Sequence, residues 1–488
     1  MIQAVWTTLL CGAIILGTYE RRQPVAFQSI NPATEEILGQ FPEHTGGEIE
    51  RALEASSRAF QSWRRTPFAE RSQLLRAVAH QLRAEKTLLA GLTTAEMGKP
   101  VVEAEAEIEK CAWCCDYFAE HGQSFLSERP VPSGATDSYV AYDPLGPVLA
   151  IMPWNFPFWQ VFRFAAPTLM AGNAGLLKHA SNVSQCALAV ERVIHQAGAP
   201  DGLFQTLLLS SDRVGAIIDD DRVRAVTLTG SEFAGSKVAE RSGTSLKKTV
   251  LELGGSDPFI VLADADLDAA ATTAVNARYQ NTGQSCIAAK RFIVVDKVAD
   301  EFLTRFVAAV ERLRIGDPME RETQIGPLAR DDLRVSLEEQ LRRSVAQGAV
   351  LATGGQRLER RGYFYQPTVV TAVHPGMPAF DEETFGPLAA VIAAGDADEA
   401  VDLANHSRYG LGAAIWTRDV ELAQRLARRV DSGSVFINGM VASDPRLPFG
   451  GVKRSGYGRE LGEYGIREFV NIKTVWIGPK QEEQPQSE

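Results

Sequence analysis

The sequence predicts an α/β protein built on two doubly wound parallel sheets, and three observations point there. From Pro147 onward, short apolar runs (PVLAIM, AGLLK, FQTLLL, VRAVTLT) alternate with helical stretches such as SQCALAVERVIHQAG. Strands that alternate with helices need crossover connections and therefore form parallel sheets. The same rhythm resumes after Glu252 with DPFIVL, KRFIVVD, PLAAVIAA and GAAIWT, which predicts a second unit and a junction at Glu252 to Gly255. A length of 488 residues suits two or three domains.

At the N-terminus, Ala4 to Gly17 is largely apolar and has no Lys or Arg before it. It falls short of the roughly 20 residues that cross a bilayer. Residues 1–20 are therefore an extension of uncertain status: poorly ordered, upstream of the true start, or a weak membrane tether. No membrane partner is expected. EIERALEASSRAFQSWRR and ERSQLLRAVAHQLRAEKTLLAGL space apolar residues as helices do. SYVAYDPLG and EFVNIKTVWIG show strand character outside both units, and each can pair with the other or with a partner chain. The tail 480–488 is polar and expected to be disordered.

Composition narrows the function. Lys plus Arg is 50 and Asp plus Glu 61, a net charge of −11 with no basic run, so nucleic acid is not an expected partner. Six cysteines in a chain this long do not make a disulfide scaffold, and a reducing cytoplasm fits them. Cys111-Ala-Trp-Cys114-Cys115 contains a CxxC, but no second CxxC follows and its flanks read as helix. Ordinary packing is expected there, and no metal.

The chemistry-bearing motifs lie at strand ends. Cys286, in Asn281-Thr-Gly-Gln-Ser-Cys286, is expected to open a helical run whose N-terminus lowers its pKa. Glu252, in LELGG, sets a carboxylate before a tight glycine turn. Asn155, in PWNFP, follows the strand PVLAIM, where an amide can donate to an oxyanion. Thr229-Gly230-Ser231 ends another strand with Gly235 five positions after Gly230, which suits a phosphate at a helix N-terminus. Glu382-Glu383-Thr-Phe385-Gly-Pro and Pro448-Phe-Gly-Gly-Val-Lys-Arg-Ser-Gly456 complete the set.

In that order and spacing, these motifs resemble the NAD(P)-dependent aldehyde dehydrogenase superfamily from about Asn31 to Trp476. The resemblance implies a cofactor domain (21–125 and 145–252), a catalytic domain (253–467) and oligomerisation strands (126–144 and 468–479), assembled as a homodimer or homotetramer. It implies Cys286 as nucleophile, Asn155 with the Cys286 N–H as oxyanion donors, and Glu252 as the base that hydrolyses a thioester. Because relatives that make acyl-CoA usually lack that base, a free acid is the expected product. Lys178 would bond the cofactor ribose, Glu383 and Phe385 would position the nicotinamide, and Trp154, Gly230, Ser231 and Leu253 would line the cofactor path.

Two departures bear on specificity. Where many relatives have Lys-Pro-x-Glu, this chain reads Lys178-His179-Ala180-Ser181, so no carboxylate at 181 repels a 2′-phosphate. NAD is expected first, with NADP tolerated; His179 would assist or lie solvated on the surface. LKHASNVS, VLELGGSDPFIVL, RYQNTGQSC and FINGMVASD resemble a bacterial succinate-semialdehyde dehydrogenase branch. Arg163 would then hold the substrate carboxylate, with Ser443 adding a hydrogen bond, unless Arg163 makes only a helix-surface ion pair. Gln280 stands where better-studied members carry a second Arg. The expected reaction is oxidation of succinate semialdehyde to succinate. The alternatives are a broader aldehyde dehydrogenase and, more remotely, a non-catalytic member of the fold.

Overall fold

The computed structural model describes residues 25–478, so the extension 1–20 and the tail 480–488 lie outside the described residues. A hairpin, Val25–Ile30 with Ile37–Pro42, precedes the helices. Sequence periodicity gave no sign of it; its turn is local chemistry, with the Asn31 side chain accepting the Ala33 N–H at 2.9 Å. The helix Gly46–Trp63 opens on a capping box, in which Thr45 and Glu48 each bond the other's backbone N–H. The long helix Val101–Leu126 buries Cys111, Cys114 and Cys115 in its packed face.

The first large sheet runs in the order Gly456–Tyr457, Lys248–Glu252, Ala225–Thr229, Pro147–Met152, Ala174–His179, Phe204–Thr206. All neighbours are parallel except the short Gly456–Tyr457 strand. Helices cover both faces, so these strands read as unbroken apolar runs rather than alternating ones. Strand order reverses between Pro147–Met152 and Ala225–Thr229. That switch opens a crevice outside their carboxyl ends, where PWNFP and Thr229-Gly230-Ser231 lie.

The second sheet runs Val350–Thr353, Thr368–Thr371, Leu388–Ala394, Ala289–Val295, Asp257–Val261, Gly412–Trp416, Ser434–Ile437, with only its first strand antiparallel. The Gly456–Tyr457 strand comes from the second unit in sequence but pairs with Leu251 and Glu252 of the first sheet. Only glycine fits there: Gly456 has φ 109°, and a Cβ would meet the Leu251 carbonyl oxygen at 1.9 Å.

The two outlying strands pair with each other. Asp137–Pro144 and Val470–Ile477 run antiparallel in continuous register, flanked by Arg129–Pro130. Ile472 and Trp476 stand exposed on this outer ribbon. Among the described residues no helix is long and apolar enough to cross a membrane.

Candidate active site

The crevice holds a cavity of about 260 Å³ lined by Trp154, Asn155, Thr229, Gly230, Ser231, Leu253, Gly254, Cys286, Glu383 and Phe385 among others. The structure thus gathers most of the predicted cofactor residues around the predicted nucleophile. Trp154 and Phe385 meet edge to face, with centroids 5.7 Å apart. Gly254 is required by close approach, since a Cβ there would lie 2.4 Å from Glu383 Oε2. Ser231 caps the helix Glu232–Thr244 by accepting the Ala234 N–H. Gly235 is a packing residue: a Cβ would press on Leu253 Cδ2 at 2.5 Å.

Cys286 lies between the short turn Gln280–Gly283 and the strand Ala289–Val295, not at a helix N-terminus. The expected helix-dipole effect is absent. Burial instead pushes the thiol up to about 12, opposed by the Arg163 and Lys290 charges. The preceding turn is strained: Asn281 and Thr282 both have φ 55°, a left-handed conformation rare for a β-branched residue. It is held by polar bonds. Asn281 Nδ2 donates to Asn155 O at 2.8 Å and Gln284 O at 3.1 Å, and Asn155 Nδ2 donates to Gln284 O at 3.1 Å. An amide NH2 has two donors, so one hydrogen of Asn155 remains for a ligand.

Three buried cations that the sequence reading missed hold the segments around Cys286, Glu383 and the LELGG turn. Lys290 Nζ donates to the carbonyls of Cys286 at 2.7 Å and Ser285 at 2.9 Å, with Glu383 3.9 Å away. Arg278 bonds the carbonyls of Gly283 and Thr384; Arg291 bonds those of Ser256 and Ala404. Lys290 and Arg291 had a visible signal: two charges opening an apolar strand buried on both faces.

Glu252 is buried, and neither carboxylate oxygen has a hydrogen-bond partner. Burial, reinforced by the neighbouring Glu460 charge, holds it well above the usual carboxylate range. It lines neither cavity with Cys286; its Oε1 lies 2.7 Å from where a Gly450 Cβ would stand. The PFGGVKRSG motif explains how this carboxylate is set. Ser455 O accepts the Leu253 N–H at 3.0 Å, and Ser455 Oγ donates to Gly254 O at 2.7 Å, pinning the LELGG turn.

A second cavity, about 210 Å³, meets the first at Cys286 and Gln160. Lys110, Phe156, Trp159, Arg163, Gln280, Ser443 and Phe449 line it. Arg163 is 1% exposed and makes no surface pair. Its Nε is ion-paired with Glu460, its Nη2 donates to Thr229 Oγ1 at 3.2 Å, and its guanidinium stacks on Phe449. Ser443 Oγ accepts from Lys110 Nζ at 2.8 Å and Trp159 Nε1 at 3.0 Å. Lys110, another residue the sequence reading missed, sits in the flank of the CxxC segment.

Lys178, half-buried, is the last residue but one of the strand Ala174–His179, and Ser181 stands exposed just beyond that strand. Among the described residues no carboxylate lies within 4.0 Å of Lys178 Nζ. His179 is neither solvated nor free for a phosphate. Its Nε2–H donates to Pro157 O, its Nδ1 accepts the Ala180 N–H, and burial lowers it to about 4. The aromatic wall and glycine cradle of the crevice, with Lys178 near the carboxyl end of a neighbouring strand, fit a nicotinamide dinucleotide.

The Aldehyde dehydrogenase family pattern matches residues 19–475. A Mycobacterium tuberculosis protein named succinate-semialdehyde dehydrogenase, with NADP(+) specified, is 53% identical over 457 residues, covering 93% of this chain and all of its own. The crystal structure of succinic semialdehyde dehydrogenase from Streptococcus pyogenes with NADP+ superposes with a TM-score of 0.91 at 38% identity, over 93% of this chain and 100% of that one. The corresponding Burkholderia pseudomallei enzyme gives 0.90 at 37%, over 93% and 94%. The chain belongs to the aldehyde dehydrogenase family.

Proposed function

We propose that this family member oxidises succinate semialdehyde to succinate through a covalent adduct on Cys286, with NADP ahead of NAD. The observation that carries the proposal is the position of Cys286, at the meeting of a crevice on the first sheet and a cavity lined by cations. The names of the relatives support the substrate. They also support reversing the expected cofactor order, as do the unpaired Lys178 and the exposed Ser181, a hydroxyl where a carboxylate would repel a 2′-phosphate.

In this mechanism the Cys286 thiolate attacks the aldehyde carbon, and the oxyanion takes hydrogen bonds from the free Asn155 hydrogen and the Cys286 N–H. A bound nicotinamide supplies the hydride acceptor. Lys178 and Ser181 hold the adenosine end of the cofactor, while Trp154, Gly230, Ser231, Leu253, Glu383 and Phe385 orient the rest, with Gly235 leaving room for Leu253. Loss of hydride leaves a thioester on Sγ. Glu252, swung from its buried position, takes a proton from water, which attacks the acyl carbon and releases the acid and the thiol. Free thiols at Cys111, Cys114, Cys115, Cys186 and Cys286 support residence in a reducing cytoplasm. The exposed Ile472 and Trp476 support a homodimer or homotetramer.

Steady-state reduction of NADP and NAD with succinate semialdehyde and with butanal tests this reading. We expect kcat/KM to favour the carboxylated aldehyde and NADP by about tenfold each, roughly 1.4 kcal/mol. Equal or better use of butanal would replace the proposal with a broader aldehyde dehydrogenase, the reading that Gln280 and the pairing of Arg163 Nε with Glu460 favour.

A further inference from the structure

One helix reaches both loops on which the proposed chemistry rests. The helix Val101–Leu126 packs into the core around the first sheet. Glu103 and Glu107, four positions apart, lie on one face of it. Glu107 is buried and ion-paired with Lys99, and its Oε1 accepts the N–H of Phe158 and of Trp159, both at 2.9 Å. It therefore fastens the chain just beyond Asn155, where the helix Trp159–Met170 begins. Lys99 lies 3.7 Å from the centre of the Phe156 ring, next to Asn155 in the chain.

Glu103 reaches the other loop. Its Oε2 accepts the Asn281 N–H at 2.7 Å. Asn281 opens the strained turn before Cys286, and its own Nδ2 donates to Asn155 O. The turn has further bonds, from the Gly326 N–H to Thr282 Oγ1 at 3.1 Å and from the Ala329 N–H to Gln284 Oε1 at 2.9 Å. Those lead to the segment 326–329. The bonds through Glu103 and Asn281 lead to the helix and the loop that carry Asn155.

We infer that Glu103 is a positioning residue for aldehyde oxidation: with Glu107 on the same helix face, it sets the Cys286 loop against the Asn155 amide, so that both oxyanion donors converge on one point. The inference rests on the oxyanion role proposed for Asn155 and supplies the element that aligns it. The bond needs an acceptor oxygen rather than a charge. Burial pushes Glu103 up to about 7, and a carboxyl accepts an N–H in either protonation state.

The test reads two reactions of one sulfur. Aldehyde oxidation passes through an oxyanion, whereas alkylation of Cys286 by iodoacetamide expels iodide and forms none, so only the first needs Asn155. Beyond burial, the charges that move the Cys286 thiol are those of Arg163, Lys290, Glu383 and Asp257, so removing Glu103 should leave its alkylation rate within about twofold. Leu is the replacement of choice, because a smaller residue would let water reach the freed N–H from the cavity that Glu103 lines. In Glu103→Leu, kcat/KM per alkylatable Cys286 should fall about tenfold or more for the better of succinate semialdehyde and butanal, the effect of a misplaced group. Glu103→Gln, whose amide oxygen accepts the same N–H, should stay within about threefold of the unaltered protein. In an Asn155→Ala background Glu103→Leu should cost nothing further, as expected of groups that act as a unit. If Glu103→Leu does not fold, Asn281→Gly cuts the next link while keeping a backbone suited to φ 55°, and should show the same loss with the same intact alkylation.

Full turnover in Glu103→Leu, alkylation that falls in step with turnover, or an added loss in the Asn155→Ala background each overturns the inference. If Asn155→Ala by itself costs nothing, the oxyanion reading falls and the positioning role with it; if Asn155→Ala is slow and Glu103→Leu is not, the positioning role falls alone.

Discussion

The two large sheets face the same cleft from opposite ends. The first presents the carboxyl ends of its strands: PWNFP follows Pro147–Met152, and Thr229-Gly230-Ser231 closes Ala225–Thr229. The second presents amino ends: Gly254 and Gly255 precede Asp257–Val261, Cys286 precedes Ala289–Val295, and Glu383 and Phe385 precede Leu388–Ala394. The first half follows the general rule for open α/β sheets, a crevice at a topological switch with its turns shaped by glycines and helix caps. The second half meets the cleft with its amino ends and depends on Arg278, Lys290 and Arg291, buried cations on a helix end and a strand that fasten backbone carbonyls. One half is a crevice walled by aromatic side chains and glycines. The other is a strained loop kept at one position, and the Cys286 sulfur, the proposed nucleophile, is on it.

Removing that atom should have the largest effect. Cys286→Ala should lower aldehyde oxidation by about 10⁴-fold or more, while cofactor titration by fluorescence shows binding on the first sheet retained. Comparable turnover in the variant would break the assignment of chemistry to the second sheet. Glu252→Gln comes next. Steady-state kcat should fall by roughly 10²–10⁴-fold, the range for a lost general base, yet a rapid-mixing trace should still show about one equivalent of reduced cofactor per site, because acylation precedes hydrolysis. Both Glu252 and Cys286 are held above their ordinary values, and each acts deprotonated in the proposed mechanism. The active fraction therefore grows as pH rises, and kcat for butanal, which carries no titratable group of its own, should climb between pH 6 and 9. A flat or falling profile would contradict the proton inventory.

A paired comparison then tests the two ways of building a loop. Lys290→Met strands three carbonyls and leaves Glu383 and Asp257 without their cation, which should cost about 3–5 kcal/mol in denaturant unfolding. Gly235→Ala only pushes a methyl against the flexible end of Leu253, so about 1–3 kcal/mol is expected, with weaker cofactor binding as its main signature. If the glycine change were the more destabilising, the cations would not be what holds the catalytic half.

The same contrast explains what could be read in advance. Apolar runs buried on both faces announce parallel strands, so both sheets and the turns bearing Asn155 and Gly230 were legible; the pairing of Asp137–Pro144 with Val470–Ile477 was one of two outcomes the sequence left open. The surroundings of Cys286 were not. Its neighbours Lys290 and Glu383 are far apart in sequence, and whether a cysteine sits at a helix N-terminus or in a buried loop changes the direction of its pKa shift. Arg163 shows the limit most clearly. It was expected to hold a substrate carboxylate or to make a helix-surface pair, but the Glu460 that pairs with its Nε lies 297 positions away, and no local pattern links the two.

The smallest expected effect concerns the outer edge of the first sheet. Ser181 stands exposed at the end of the Lys178 strand, where a carboxylate would meet the 2′-position of the adenosine ribose in the proposed binding mode. Ser181→Glu should shift the ratio of kcat/KM for NADP to that for NAD by about tenfold toward NAD, roughly 1.4 kcal/mol. The exposed position keeps the effect modest, since solvent screens the new charge. The aldehyde preference, assigned in the proposed function to the cavity on the other side of Cys286, should not follow the cofactor ratio. If both ratios moved together, the two cavities would be coupled through more than their shared cysteine, and the division of labour between the sheets would have to be redrawn.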